Sequence, residues 1–127
     1  MERVALRPEC EGMKTIRVAE YARSPGGRFR SDGPFSGEWF REEVVRPALA
    51  DAIRAGDRLE VELDGTSGYG SSFLEECFGG LIRKGAFKPD LVRQFLVITA
   101  KSRVFAPYKA LADRYIRNAR PEGAIAA

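Results

Sequence analysis

The sequence predicts an α/β fold: a small domain with a mostly parallel or mixed four-stranded sheet and about three helices packed on it. Two observations carry this. Segments with an apolar residue at every second position alternate along the chain with segments whose apolar residues recur at helical spacing. Strands alternating with helices imply parallel strands joined by right-handed crossovers. The 127 residues contain no internal repeat and no second domain, so one core serves the chain.

Residues 1–13 show no clear period and are expected to be an N-terminal extension or an edge strand. The domain proper is expected over 14–118. Ile16 and Val18 alternate with polar neighbours within 14–21, as in a half-buried strand. Residues 22–34 hold three glycines and two prolines and predict a long loop, a kind of segment that often carries function. A helix follows, with Ser36 as N-cap and Glu38 in its first turn. Phe40, Val44, Ala48, Leu49, Ala52 and Ile53 form its apolar stripe, and Gly56 ends it. Pro47 lies inside that stripe and is expected to kink or divide the helix. Leu59, Val61 and Leu63 alternate with Glu60, Glu62 and Asp64, the clearest strand in the chain.

After a glycine-rich turn, a helix is expected from about Ser72 to Lys84, with Leu74, Cys77, Phe78, Leu81 and Ile82 on one face and Gly85 as its stop. Residues 94–99 read as an apolar strand. Pro107 fits the first turn of a last helix, with Leu111, Ala112, Tyr115 and Ile116 inward, and 119–127 read as a frayed tail.

Composition narrows the chemistry. Hydrophobic residues make up 44% and charged residues 31%, the balance of a soluble globular protein. No apolar run approaches the roughly 20 residues that span a bilayer. The N-terminus has no signal-peptide pattern, so a cytoplasmic protein with no membrane partner is expected. There is no histidine, which removes the commonest general base and metal ligand. Cys10 and Cys77 lie far apart and form no zinc pattern; Cys77 reads as a core residue and Cys10 as a surface thiol. Glu75 and Glu76 are adjacent on a helix, so they point about 100° apart and make no carboxylate pair. No catalytic constellation, metal site or cofactor is expected.

The segment Gly68-Tyr69-Gly70-Ser71-Ser72-Phe73 draws attention because it feeds a helix N-terminus, where free N–H groups and partial positive charge receive anions. Ser72 and Glu75 have the spacing of a capping box, which would make Ser72 structural. Ser71 is either a plain turn residue or a contacting or modified one. The glycine spacing fits neither a P-loop nor a dinucleotide-binding loop. Arg28 and Arg30 read either as solvated loop residues or as a clamp for a phosphate or partner carboxylate, and Phe29 between them points to interaction. Phe35 and Trp39 read as core or as partner-contacting aromatics. Asp64 at a strand end is either a turn residue or lies where parallel sheets bind ligands.

The runs Asp32-Gly33-Pro34-Phe35-Ser36-Gly37-Glu38-Trp39-Phe40-Arg41-Glu42, Leu63-Asp64-Gly65 and Gly70-Ser71-Ser72-Phe73-Leu74-Glu75-Glu76 resemble the STAS-like family of unknown function. That family is related to the STAS domains of anti-sigma-factor antagonists. The resemblance covers roughly residues 14–118. It implies a non-catalytic regulatory module that binds a protein partner, with a histidine-kinase-like ATPase as the partner class. It also implies phosphorylation of a serine at the helix start, which aligns with Ser71; Gly70 stands where an acidic residue usually precedes that serine. Tyr69, Gly70, Ser71, Ser72 and Phe73 then form the contact or phosphorylation surface. The alternative is a nucleotide- or anion-binding sensor using the helix end at Ser72 with Arg28, Arg30 and Asp64. A third reading, nucleic-acid binding through the C-terminal Lys and Arg residues, lacks a recognition motif.

Overall fold

A computed structural model describes residues 12–122. Its sheet has three strands: β1 (Met13–Arg17), β2 (Arg58–Glu62) and β3 (Leu96–Thr99). All pairing is parallel, in the order β1-β2-β3. The sheet thus has three strands among the described residues, not the expected four. The N-terminal edge strand expected within 1–13 lies almost wholly outside them, apart from Gly12 and Met13.

β2 is central because its alternation matches both neighbours. Ile16 pairs with Val61, and Leu59 and Val61 pair with Leu96 and Ile98. Side chains alternate across a sheet, so these residues share one face, and helices cover it. On the other face Thr15 and Thr99 donate to Glu60 at 2.8 and 2.7 Å, while Arg17 and Lys101 flank Glu62 at 3.5 Å.

Four helices pack on the sheet rather than about three. α1 runs over 37–55, α2 over 71–83, α3 is Pro89–Phe95 and α4 is Ala106–Asn118. The additional helix, α3, starts with Pro89 at its first turn and Asp90 behind it, a start signal that the short run of following apolar residues obscures. It takes over the beginning of the expected third strand, which starts at Leu96 instead of Gln94. β1 is also shorter than expected, because the chain turns into a 3₁₀ turn over Val18–Glu20.

Ser36 caps α1 as expected, its Oγ accepting from the Trp39 amide at 3.1 Å. Pro47 does not divide the helix. A wide π turn over Arg41–Val45 precedes it, and Pro47 then sits in the first turn of the regular segment Arg46–Ala55. Such a turn accommodates an amide that cannot donate. Gly56, with φ of 78°, closes α1: its amide donates to Ile53 and that of Asp57 to Ala52, a Schellman ending. α2 contains a second π turn, Glu75–Gly79.

The core joins Phe40, Leu49, Leu59, Val61, Phe73, Phe78, Leu81, Ile98 and Ile116 across sheet and helices. Cys77 lies within it, and burial pushes its thiol pKa well up, which keeps the sulfur unreactive. Cys10 lies outside the described residues. The expected frayed tail is partly anchored: the Glu122 amide donates to the Arg83 carbonyl at 2.8 Å, and its carboxylate faces Lys84 at 3.5 Å. No helix among the described residues is long and apolar enough to cross a membrane.

Candidate functional site

The loops that follow the strands gather at the C-terminal edge of the sheet, where ligands meet open parallel sheets. Asp64, just past β2, ties two of them together. Its carboxylate accepts from the amides of Lys101 and Ser102 at 2.8 and 2.9 Å. The loop after β1 joins through Ser67, whose amide donates to the Arg23 carbonyl at 2.8 Å and whose hydroxyl donates to Ser24 Oγ at 3.2 Å.

Two buried aromatics fix the segment between Asp64 and α2. The Tyr69 hydroxyl donates to the Leu63 carbonyl at 2.7 Å. Its ring lies 5.3 Å from that of Tyr108 and 5.7 Å from that of Phe73. Burial raises the pKa of this phenol well above its ordinary value, so the hydroxyl remains a donor. Phe73 is buried against Phe40. Gly68 has φ of 120°, and a Cβ there would lie 2.9 Å from the Tyr108 hydroxyl. Tyr69 and Phe73 therefore anchor the bend from inside.

Between these anchors the chain faces out. Gly70 and Ser71 are exposed and Ser72 is half-buried. Gly70 is the N-cap of α2, so the helix begins at Ser71, one residue earlier than expected. The capping box expected of Ser72 and Glu75 does not form: no side chain caps this helix, and Glu75 bonds arginines instead.

The two helix starts differ in a way that matters. At α1 the amides of Gly37, Glu38 and Trp39 are taken by the Gly27 carbonyl, the Arg28 carbonyl and Ser36 Oγ. At α2 the first bond is from Leu74 to the Gly70 carbonyl at 3.3 Å. The amides of Ser71, Ser72 and Phe73 have no acceptor among the described residues. One helix end is sealed by its own loop; at the other the amides of Ser71 and Ser72 lie beside an exposed serine, while Phe73 is buried.

The two loop arginines have carboxylate partners. Arg28 Nη1 donates to Glu75 at 2.5 Å and to Glu76 at 3.1 Å. Arg30 Nη2 meets Glu43 at 3.0 Å, and its amide donates to Glu38. Asp64 is occupied by the two amides described above. None of the three hydrogen-bonds Ser72.

Arg28 belongs instead to a charged cluster between α1 and α2. Arg41 Nη1 donates to Glu76 Oε2 at 2.6 Å and to the Glu76 carbonyl at 2.7 Å. Arg41 is 4% exposed and Glu76 2%. Arg83 donates to Glu75 and Glu76, and Glu42 links Arg41 to Arg46. Although Glu75 and Glu76 project apart, Arg28 and Arg83 each bridge them. Burial alone would raise the Glu76 pKa, but hydrogen bonds from Arg41 and Arg28 and the charges of Arg41 and Arg83 outweigh it and hold it below the ordinary value.

Sequence reasoning missed this cluster. Its signal was Gly79-Gly80, an unfavourable pair inside a helix. A Cβ on Gly80 would strike the Arg41 guanidinium. Trp39 is half-buried, edge-on to an exposed Phe35 at 5.5 Å, while Phe29 is exposed below Arg28.

No curated protein and no solved structure matches the chain significantly. Residues 36–104 match the family described as STAS-like domain of unknown function (DUF4325). The matched span runs from the N-cap of α1 through the open end of α2 to the loop after β3, more than half of the chain, and the protein therefore belongs to that STAS-like family.

Proposed function

We propose that the chain is a non-catalytic regulatory module that docks a protein partner over the C-terminal edge of its sheet, with Ser71 as the residue a partner kinase modifies. The observation that carries this reading is the exposed Ser71 hydroxyl at an unsealed helix end, held between the buried anchors Tyr69 and Phe73. A phosphate on Ser71 would meet free amides and the positive end of α2, and it would add close to two negative charges to a docking surface. The neighbouring loop supplies apolar contact area: Tyr21 and Phe35 are exposed and line a shallow groove with Ala19 and Ala22. Exposed aromatics beside a switchable charge suit a protein interface. The STAS-like resemblance favours a histidine-kinase-like ATPase as the partner.

The alternative, a nucleotide or anion sensor, draws less support. Its arginines already bond carboxylates, and Asp64 already holds two amides.

The test is to recover the tagged chain from its host with and without Mg-ATP and measure intact mass and bound partner. The expected result is one added phosphate that maps to Ser71 and is lost in Ser71→Ala, with partner retention that differs between Ser71→Ala and Ser71→Asp. An unmodified Ser71 and equal partner retention by both variants would remove the switch. Calorimetric binding of a nucleotide by the unmodified chain would favour the sensor.

A further inference from the structure

The outward face of α4 carries exposed arginines that the Ser71 reading leaves unused. α4 packs inward through Ala112 and Ile116. Pro107, Ala110, Arg114 and Arg117 line a shallow groove on its outer side together with Leu111, which is half-buried and also packs against the core. Arg117 also lines the next groove, with Arg93, Ala119, Arg120 and Pro121, so the two form one continuous surface.

Arg114, Arg117 and Arg120 are spaced three residues apart and are exposed. None has a carboxylate within 4.0 Å among the described residues. The acidic residue on α4, Asp113, is paired with Lys109 at 2.5 Å. Arg93 is spent on the end of the helix, where it donates to the carbonyls of Ile116, Arg117 and Ala119. It cancels the negative end of α4 and leaves the C-terminal half of the face positive.

We propose that this face docks an acidic amphipathic helix of a partner protein. The charge pattern selects the sign of the partner, since unpaired guanidinium groups bind carboxylates in a fork geometry. The apolar strip selects its class. Pro107, Ala110 and Leu111 line the same groove as Arg114 and Arg117, toward the start of the helix, and offer a seat for leucine-like side chains, as in helix-in-groove recognition. A nucleic-acid backbone would use the arginines but leave that strip in contact with phosphate. This proposal does not depend on modification of Ser71.

The probe is a fluorescein-labelled helical peptide with glutamates on one face and leucines on the other. A scrambled peptide of the same composition and a DNA duplex serve as competitors, and anisotropy is read against the full chain and its Ser71→Ala variant. The amphipathic peptide should bind both alike, and more tightly than the scrambled one. Its affinity should fall with salt and drop at least about tenfold in Arg114→Glu/Arg117→Glu. Because reversal of exposed charge can disturb folding, Arg114→Gln/Arg117→Gln is measured in parallel with circular dichroism, and a smaller loss in the same direction is expected. Absence of saturable peptide binding would overturn the proposal. So would equal binding of the scrambled peptide, indifference to both variants, or tighter binding of DNA through the same arginines.

Discussion

Arg41 and Glu76 join α1 to α2 by a buried ion pair in which one guanidinium nitrogen serves both the carboxylate and the carbonyl of the same residue. Each residue lies in a π turn of its helix, Arg41–Val45 and Glu75–Gly79. Removing Glu76 leaves the buried Arg41 with Glu42 as its remaining carboxylate partner among the described residues. Glu76→Gln should therefore cost about 3 kcal/mol of unfolding free energy. The double variant Arg41→Met/Glu76→Leu should lose far less, because it removes both desolvation penalties. Urea denaturation of the two variants checks this; equal losses would mean that the pair contributes only packing.

The same pair fixes a pH dependence. The Glu76 pKa is lowered in the folded chain, as is that of Glu42, where bonds from Arg41 and Arg46 outweigh burial. A carboxylate depressed on folding contributes stability that is full above its unfolded pKa, about 4.3, and is lost as pH falls through the folded value. Thermal midpoints should hold from neutral pH down to about 5 and then drop. In Glu76→Gln, whose midpoint starts lower, that drop should be shallower.

The parts of the fold that rest on local periodicity were legible in the sequence. β2 could be read from Leu59, Val61 and Leu63 alone, and the start of α1 from Ser36. The parts set by tertiary contact were not. The single turn that separates β1 from the following loop has no pattern of its own. α3 is too short for its period to stand out from the strand it precedes. At the candidate site, the bend and the exposed Ser71 were legible because glycine and serine mark such places. The destination of Arg28 was not, since its partners Glu75 and Glu76 lie nearly fifty residues away and only packing brings them together.

Gly37 permits the close approach of α1 to α2. A Cβ there would lie 2.5 Å from the Phe73 carbonyl oxygen and 3.1 Å from Glu76 Cβ. Neither the backbone oxygen nor the helix behind it can move without shifting the Arg41–Glu76 pair. Gly37→Ala should destabilise the protein by about 2 kcal/mol, as overpacking does, even though alanine is the better helix former. Gly70→Ala is the control, because its Cβ would meet open space. It should change the urea midpoint little.

Tyr69→Phe keeps the ring among Phe73, Phe105 and Tyr108 and removes one bond, to the Leu63 carbonyl. The loss should be about 1 kcal/mol. Hydrogen exchange should locate it: amides of residues 65–70 should exchange faster, while those of β2 stay protected. A uniform increase across the chain would mean that the hydroxyl supports the whole core rather than the bend.

Ser71 lies in the first turn of α2, where a negative charge is favourable to the helix by roughly 0.5 kcal/mol. Ser71→Asp should therefore be as stable as the parent chain, or slightly more so, and its thermal midpoint should fall as salt screens the charge. This outcome separates two kinds of switch. If the acidic variant is stable yet loses its partner, the added charge acts at the docking surface. If its midpoint drops well below that of Ser71→Ala, the charge disrupts the bend, and any change in binding follows from unfolding around Tyr69 and Phe73.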